Sequence, residues 1–107
     1  MTTFDETTRI ERIAMIARAM GLPIARQDDL VIWIHDKEPA NWYRFNPYTN
    51  AYQSQDVQHQ LKISTSIWMD GVVTADTRGV SVSSLMLRDA IADCAARWQW
   101  EKEREGK

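Results

Sequence analysis

The sequence predicts an α+β fold in which an antiparallel sheet is held between helices, in the order α-β-β-α-β-β-β-α. Three observations predict it. Both ends of the chain carry apolar residues at helical spacing; Leu30 to Ile34 is an unbroken apolar run; Ile63 to Met69 alternates and is followed by Asp70-Gly71. An apolar run with no polar alternation fits a strand covered on both faces, which places the sheet between two layers.

The first helix is marked by Ile10, Ile13, Ala17 and Met20, with Ala14 and Ile16 widening the stripe. Thr8 and Glu11 have the spacing of a capping box, in which two side chains satisfy the free amides of the first turn. Thr3 and Glu6 repeat it one turn earlier, so either can open the helix. Gly21 supplies a left-handed stop and Pro23 prevents continuation. Leu30–Ile34 is then the first strand, His35 to Ala40 a loop containing Pro39, and Asn41 to Phe45 the hairpin partner.

Asn46-Pro47 favours a turn or helix start, because proline presets φ and the asparagine oxygen can accept an amide proton. A weaker helix follows from about Thr49 to Lys62, marked by Ala51, Tyr52, Val57 and Leu61. In the alternating strand, Ile63, Thr65, Ile67 and Met69 share one side, and Ser64, Ser66 and Trp68 the other. Asp70-Gly71 is expected to form a type I′ turn, which needs positive φ at both positions. Val72 to Ala75 returns, Asp76 to Gly79 turns again, and Val80 to Val82 completes a meander. The last helix carries Leu87, Ile91, Cys94 and Trp98 on one stripe, with Ser83 or Ser84 as cap. Asp93–Arg97 and Arg97–Glu101 are its expected solvent-side pairs.

The 107 residues are 44% hydrophobic and 26% charged, a globular balance that argues against disorder. One domain over 1–107 is expected, with 1–8 and 101–107 fraying. No apolar run approaches the ~18 residues of a membrane span, and the first residues lack the basic flank and apolar centre of an export signal. The single Cys94 excludes an internal disulfide and fits a reducing compartment, so a cytoplasmic location is expected. Thirteen basic residues against fifteen acidic ones give a net charge of −2, and the basic residues are scattered among acids. A phosphate-tracking stripe is not evident, which disfavours nucleic acid.

Candidate chemistry is sparse. His35 with Asp36, and Asp56 with His59 one helical turn later, contain the ingredients of a metal or proton-shuttle site. Their spacing matches no ligand motif, so both histidines are expected at the surface and neither metal nor cofactor is expected. Cys94 lies on an apolar stripe and is expected in the core rather than as a reactive thiol. Trp33, Trp42, Tyr43, Phe45, Tyr48, Tyr52 and Trp68 cluster in the first strands and beyond. Trp42 and Tyr43 point to opposite faces of a strand, so they are either both core or partly a surface patch with Arg44 and Asn46. Tyr48 and Tyr52 are the members expected to be exposed. Trp98 and Trp100 are about 200° apart on a helix, so Trp100 leaves the stripe. Either the segment around Phe4 covers it, or it lies in an interface. The candidate binding residues are therefore Trp42, Arg44, Asn46, Tyr48, Tyr52 and Trp100, with no catalytic residue.

From Leu30 to Trp98, about two thirds of the chain, the pattern resembles the phage ABA-sandwich domain family. The resemblance is carried by the aromatic strand, Phe45-Asn46-Pro47-Tyr48-Thr49-Asn50 leading into a helix, a strand hairpin, and a terminal helix with Arg88-Asp89-Ala90-Ile91-Ala92. The chain departs from that pattern in its polar second helix and in Leu85-Met86-Leu87. The resemblance implies a phage product with a sheet between helices and transfers no catalytic residue.

The function this supports is a non-catalytic phage accessory protein that binds a host protein, as a host-takeover or anti-defence factor, with self-association as a homodimer also open. The alternative is a small-ligand or nucleotide sponge using Arg44, Arg78 and the aromatics, and the third is a hydrolase built on His35 or His59. Neither nucleic acid nor membrane is an expected partner.

Overall fold

The computed structural model describes residues 3–35 and 41–105. The expected loop beyond His35 lies outside the described residues. His35 itself ends a strand.

Helix α1 spans Arg9–Ala19 and begins with the capping box. The Thr8 hydroxyl accepts from the Glu11 amide at 3.2 Å, and the Glu11 carboxylate accepts from the Thr8 amide at 3.3 Å. The helix ends in a Schellman motif. Leu22 N donates to Ala17 O at 2.9 Å and Gly21 N to Arg18 O at 3.1 Å, with Gly21 at φ +70°. The earlier Thr3–Glu6 pattern forms a separate 3-10 helix, Phe4–Glu6. Phe4, in a stretch expected to fray, is buried and meets the Trp100 ring edge-on at 6.0 Å.

The fold is α+β, with antiparallel sheets packed against helices. The strands divide between two three-stranded sheets rather than forming one layer. The first contains β1 (Ile24–Gln27), β2 (Ile32–His35) and β3 (Trp42–Phe45) in that order. Strand β1 was not expected. Its sequence offers one large apolar residue before Arg26 and Gln27, and its pairing with β2 shifts register between Ile24 and Arg26. An Arg26–Asp28 ion pair of 2.9 Å closes the connection to β2.

The run from Leu30 to Ile34 is not covered on both faces. Ile32 and Ile34 are buried, Val31 and Trp33 are half-buried, and Leu30 is exposed. The apolar side chains on the outer face are met by cross-strand neighbours instead of a second helix: Arg44 pairs with Trp33, and its guanidinium lies 6.0 Å from that ring.

Helix α2 spans Ala51–Gln60. Asn50 caps it by accepting from Gln53 N at 3.1 Å. Ser54, Val57 and Leu61 supply its buried side. Its C-terminus is a second Schellman motif, Ile63 N to Gln58 O at 2.9 Å and Lys62 N to His59 O at 3.4 Å. Here the left-handed position is filled by Lys62, φ +55°.

The second sheet contains β4 (Ser64–Ile67), β5 (Val73–Thr77) and β6 (Val80–Ser84) in that order. The expected meander is present, but its turn chemistry is exchanged. Arg78 (φ +46°) and Gly79 (φ +90°) form the two-residue turn with positive φ at both positions. Between β4 and β5, only Gly71 is left-handed. Gly71 N donates to Trp68 O at 2.9 Å and Trp68 N to Val72 O at 2.8 Å, a three-residue loop ending in a glycine bulge.

Helix α3, Leu87–Glu105, packs against α1, α2, β5 and β6. Ala90, Ile91, Ala92, Cys94, Ala95 and Ala96 are all buried, so it is covered around most of its circumference. The small alanines let its neighbours approach closely. Cys94 is in the core, its thiol pushed up to about 11 by burial first and then by the Asp76 charge. Among the described residues no helix is long and apolar enough to cross a membrane.

The strained Lys62 yields a stability prediction. Lys62→Gly relieves the left-handed Cβ clash and raises stability by about 0.5–1 kcal/mol, read as a higher urea midpoint with unchanged slope.

Candidate functional site

The candidate site is a cleft of about 280 Å³ where the start of β2, the end of β3 and the first turn of α2 converge. Leu30, Val31, Arg44, Asn46, Asn50 and Gln53 line it. Period-two alternation puts Arg44 on the outer face of β3, together with Trp42 two residues earlier.

The turn after β3 is rigid. Asn46 Oδ1 accepts from Tyr48 N at 3.1 Å, and Asn46 O accepts from Thr49 N and Asn50 N. The Gln53 side chain then acts as a substitute strand. Its Oε1 accepts from Asn46 N at 2.6 Å and its Nε2 donates to Arg44 O at 2.8 Å. These bonds consume the Gln53 amide and the Asn46 and Asn50 side-chain oxygens. The Arg44 guanidinium forms no ion pair among the described residues. The cleft therefore offers mainly donors beside exposed Leu30, while exposed Trp42 lies outside the lining, further along the strand face of Arg44. Such a surface suits carbonyl or carboxylate oxygens on a partly apolar partner.

Of the six sequence-selected residues, Arg44 and Asn46 line this cleft, and Trp42 shares the strand face of Arg44. Tyr52 is 81% exposed in the first turn of α2, outside the lining. Tyr48, expected to be exposed, is a correction: it is 4% exposed. The turn that precedes α2 tips it inward, where its hydroxyl donates to Asp93 Oδ1 and the Arg9 guanidinium stacks on its ring at 3.9 Å. Trp100 lies on α3 between Phe4 and the Arg104 guanidinium, 4.4 Å from its ring. Of the two expectations for it, coverage by the Phe4 segment is the one found.

Asp93 also departs from expectation. It faces α1 rather than Arg97, and Arg12 Nη1 lies 3.2 Å from its Oδ1. Arg12 donates further to Thr7 Oγ1 at 2.9 Å and to Phe4 O at 3.2 Å. Only the Arg97–Glu101 pair of the two expected on α3 is seen, at 4.0 Å.

The other candidate groups do not converge. Arg78 stacks on Trp98 at 5.0 Å and belongs to the second sheet, apart from Arg44. His35 and His59 are exposed, Asp36 lies outside the described residues, and Asp56 shares no hydrogen bond or ion pair with His59. No three His, Cys, Asp or Glu among the described residues could hold a metal ion. Leu30, Val31, Asn50 and Gln53 are among the lining residues that sequence reasoning did not select. Leu30 follows Asp28-Asp29, and that acidic step was the available sign that the strand begins after it.

No family model, curated protein or solved structure matches the chain.

Burial raises the Tyr48 pKa well above the ordinary 10.0, reinforced by the charge of Asp93 and by their hydrogen bond. The folded state therefore keeps a proton that the unfolded chain loses above pH 10, and stability falls as pH rises past that value. Tyr48→Phe is expected to flatten the alkaline fall in thermal midpoint. Asp93→Ala strands Arg12 and the Tyr48 hydroxyl, and should cost about 2–3 kcal/mol in urea unfolding at neutral pH.

Proposed function

We propose that this chain is a non-catalytic binding protein whose cleft at the β3–α2 junction takes a segment of another protein. The observation that carries the reading is Arg44, without an ion pair among the described residues, in a donor-lined cleft beside exposed Leu30, with exposed Trp42 further along the same strand face. Tryptophan buries a large area at small entropic cost, and both tryptophan and arginine are enriched among the residues that carry most of the binding energy at interfaces. The Gln53 clamp holds the arginine-bearing strand in one conformation, which reduces the ordering cost of association.

The partner this chemistry suits presents a carboxylate or free backbone carbonyls next to an apolar side chain. In line with the resemblance to the phage ABA-sandwich family, the proposed partner is a protein of a bacterial host and the proposed role that of an accessory or anti-defence factor. A nucleotide-binding reading uses the same Arg44, whose guanidinium neighbours the Trp33 ring.

The test uses the intact chain as bait in bacterial lysate, beside a Trp42→Ala/Arg44→Ala variant. The wild type should retain a stoichiometric protein that the variant binds at least about thirtyfold more weakly, a loss of ~2 kcal/mol. Both side chains are exposed, so the variant should melt within about 1 kcal/mol of the wild type. Equal capture by both proteins would reject the cleft as the site. Nucleotide-induced stabilisation lost in the same variant would favour the sponge instead, since a ligand at 100 times its dissociation constant adds ~2.7 kcal/mol.

A further inference from the structure

Independently of the cleft, we propose that the end of the second sheet at the β4–β5 loop is a homodimerisation surface. The register places Ile67, Val73 and Ser84 in one row across β4, β5 and β6. Chain alternation then spreads the residues that follow over both sides of this end. Val73, Ala75 and Thr77 are the buried side of β5, so Thr74 faces the other way. Trp68 lies on that outer side, its Nε1 donating to Thr74 Oγ1 at 2.9 Å. Met69 forms the tip, and Leu85, Met86 and Leu87 emerge from the end of β6 into α3.

Six large apolar residues thus surround one end of one sheet: Ile67, Trp68, Met69, Leu85, Met86 and Leu87. Their exposure runs from 44% at Leu87 to complete at Met69. Together they present on the order of 700 Å², above the roughly 300–600 Å² of the largest patch on an ordinary monomer. It is close to the ~800 Å² that each partner contributes to a standard interface. The exposed area gathered at this end of the second sheet is thus of the order that a stable dimer buries per partner.

Charge selects the occupant. No charged residue occurs from Ile63 to Met69 or from Val80 to Leu87. Asp70, at the tip, accepts from its own Val72 N at 3.1 Å, and Arg88 and Asp89 lie just beyond Leu87 with opposite signs. A highly charged partner finds almost nothing to pair with. A second copy meets the same largely uncharged, apolar surface across a two-fold axis, with Asp70 as the one like charge brought to the contact, at its tip. The first sheet is protected differently: a register shift in β1, Arg44 on β3, and the Gln53 amide on the β3 edge. The second sheet carries no charge or proline in either edge strand.

Sedimentation of the full chain over the micromolar range tests this. The wild type should show a monomer–dimer equilibrium, and Met69→Glu/Leu85→Glu should weaken it at least about a hundredfold by forcing bare charges into the contact. Trp42→Glu should leave it unchanged. Met69→Glu alone, at the fully exposed tip, replaces the double variant if that one melts early. A wild type that stays monomeric, or a dimer broken by Trp42→Glu but not by Met69→Glu, overturns the proposal.

Discussion

The carboxylate of Asp93 ties together three separately encoded pieces of chain. It projects from the middle of α3, receives Arg12 from α1, and receives the Tyr48 hydroxyl from the turn before α2. Arg12 extends the connection to Thr7 and the Phe4 carbonyl, and its guanidinium lies 4.3 Å from the centre of the Phe4 ring. A half-buried anion in this position is costly unless its partners hold their geometry, so the network ties helix packing and turn geometry to one another. The turn carrying Tyr48 is also the turn that ends in the cleft. The orientation of Asn46 and the start of α2 are therefore set from the protein interior.

Around that node, α3 supplies the common wall. Its alanine-rich run is buried between α1 on one side and the second sheet on another, and α1 in turn carries the first sheet. The two sheets need not hydrogen-bond to each other, since each has a helical face to cover its inner side chains. This accounts for a second sheet whose far end projects beyond its helical cover. Helix α3 covers β5 and β6, while Ile67 and the loop after it extend past the start of the helix.

Much of this was legible in the sequence because local signals agreed with the packing. The capping box at Thr8, the Gly21 stop and the placement of Cys94 on an apolar stripe are readable from spacing and have counterparts in backbone hydrogen bonds or burial, whereas Ile67 and Met69 of the alternating strand and Leu87 at the head of the last stripe are exposed. What failed were the features decided by the partner a segment meets rather than by its own residues. Strand β1 is defined by pairing with β2, and its own residues have little β character. Leu30 reads as core because it adjoins Val31 and Ile32, yet it lies before the ladder begins. Tyr48 sits in a polar turn, and its inward partner, Asp93, lies 45 positions later. Within the cleft, Arg44 and Asn46 were identifiable as polar groups among aromatics. Gln53 was not, because a glutamine on a polar helix looks like solvent-facing surface until the strand end it clamps is known.

The Gln53 fork also has a kinetic side. Its two bonds to the backbone at Arg44 and Asn46 exist only while the first turn of α2 is wound. Fraying of that turn would release the amide, leave the strand margin with free backbone groups, and dissolve one wall of the cleft in the same event. Occupied clefts would resist such fraying, so ligation should slow amide exchange in the first turn of the helix. The rate at which about one helical turn rewinds then sets how long the bare margin is available to a neighbouring chain.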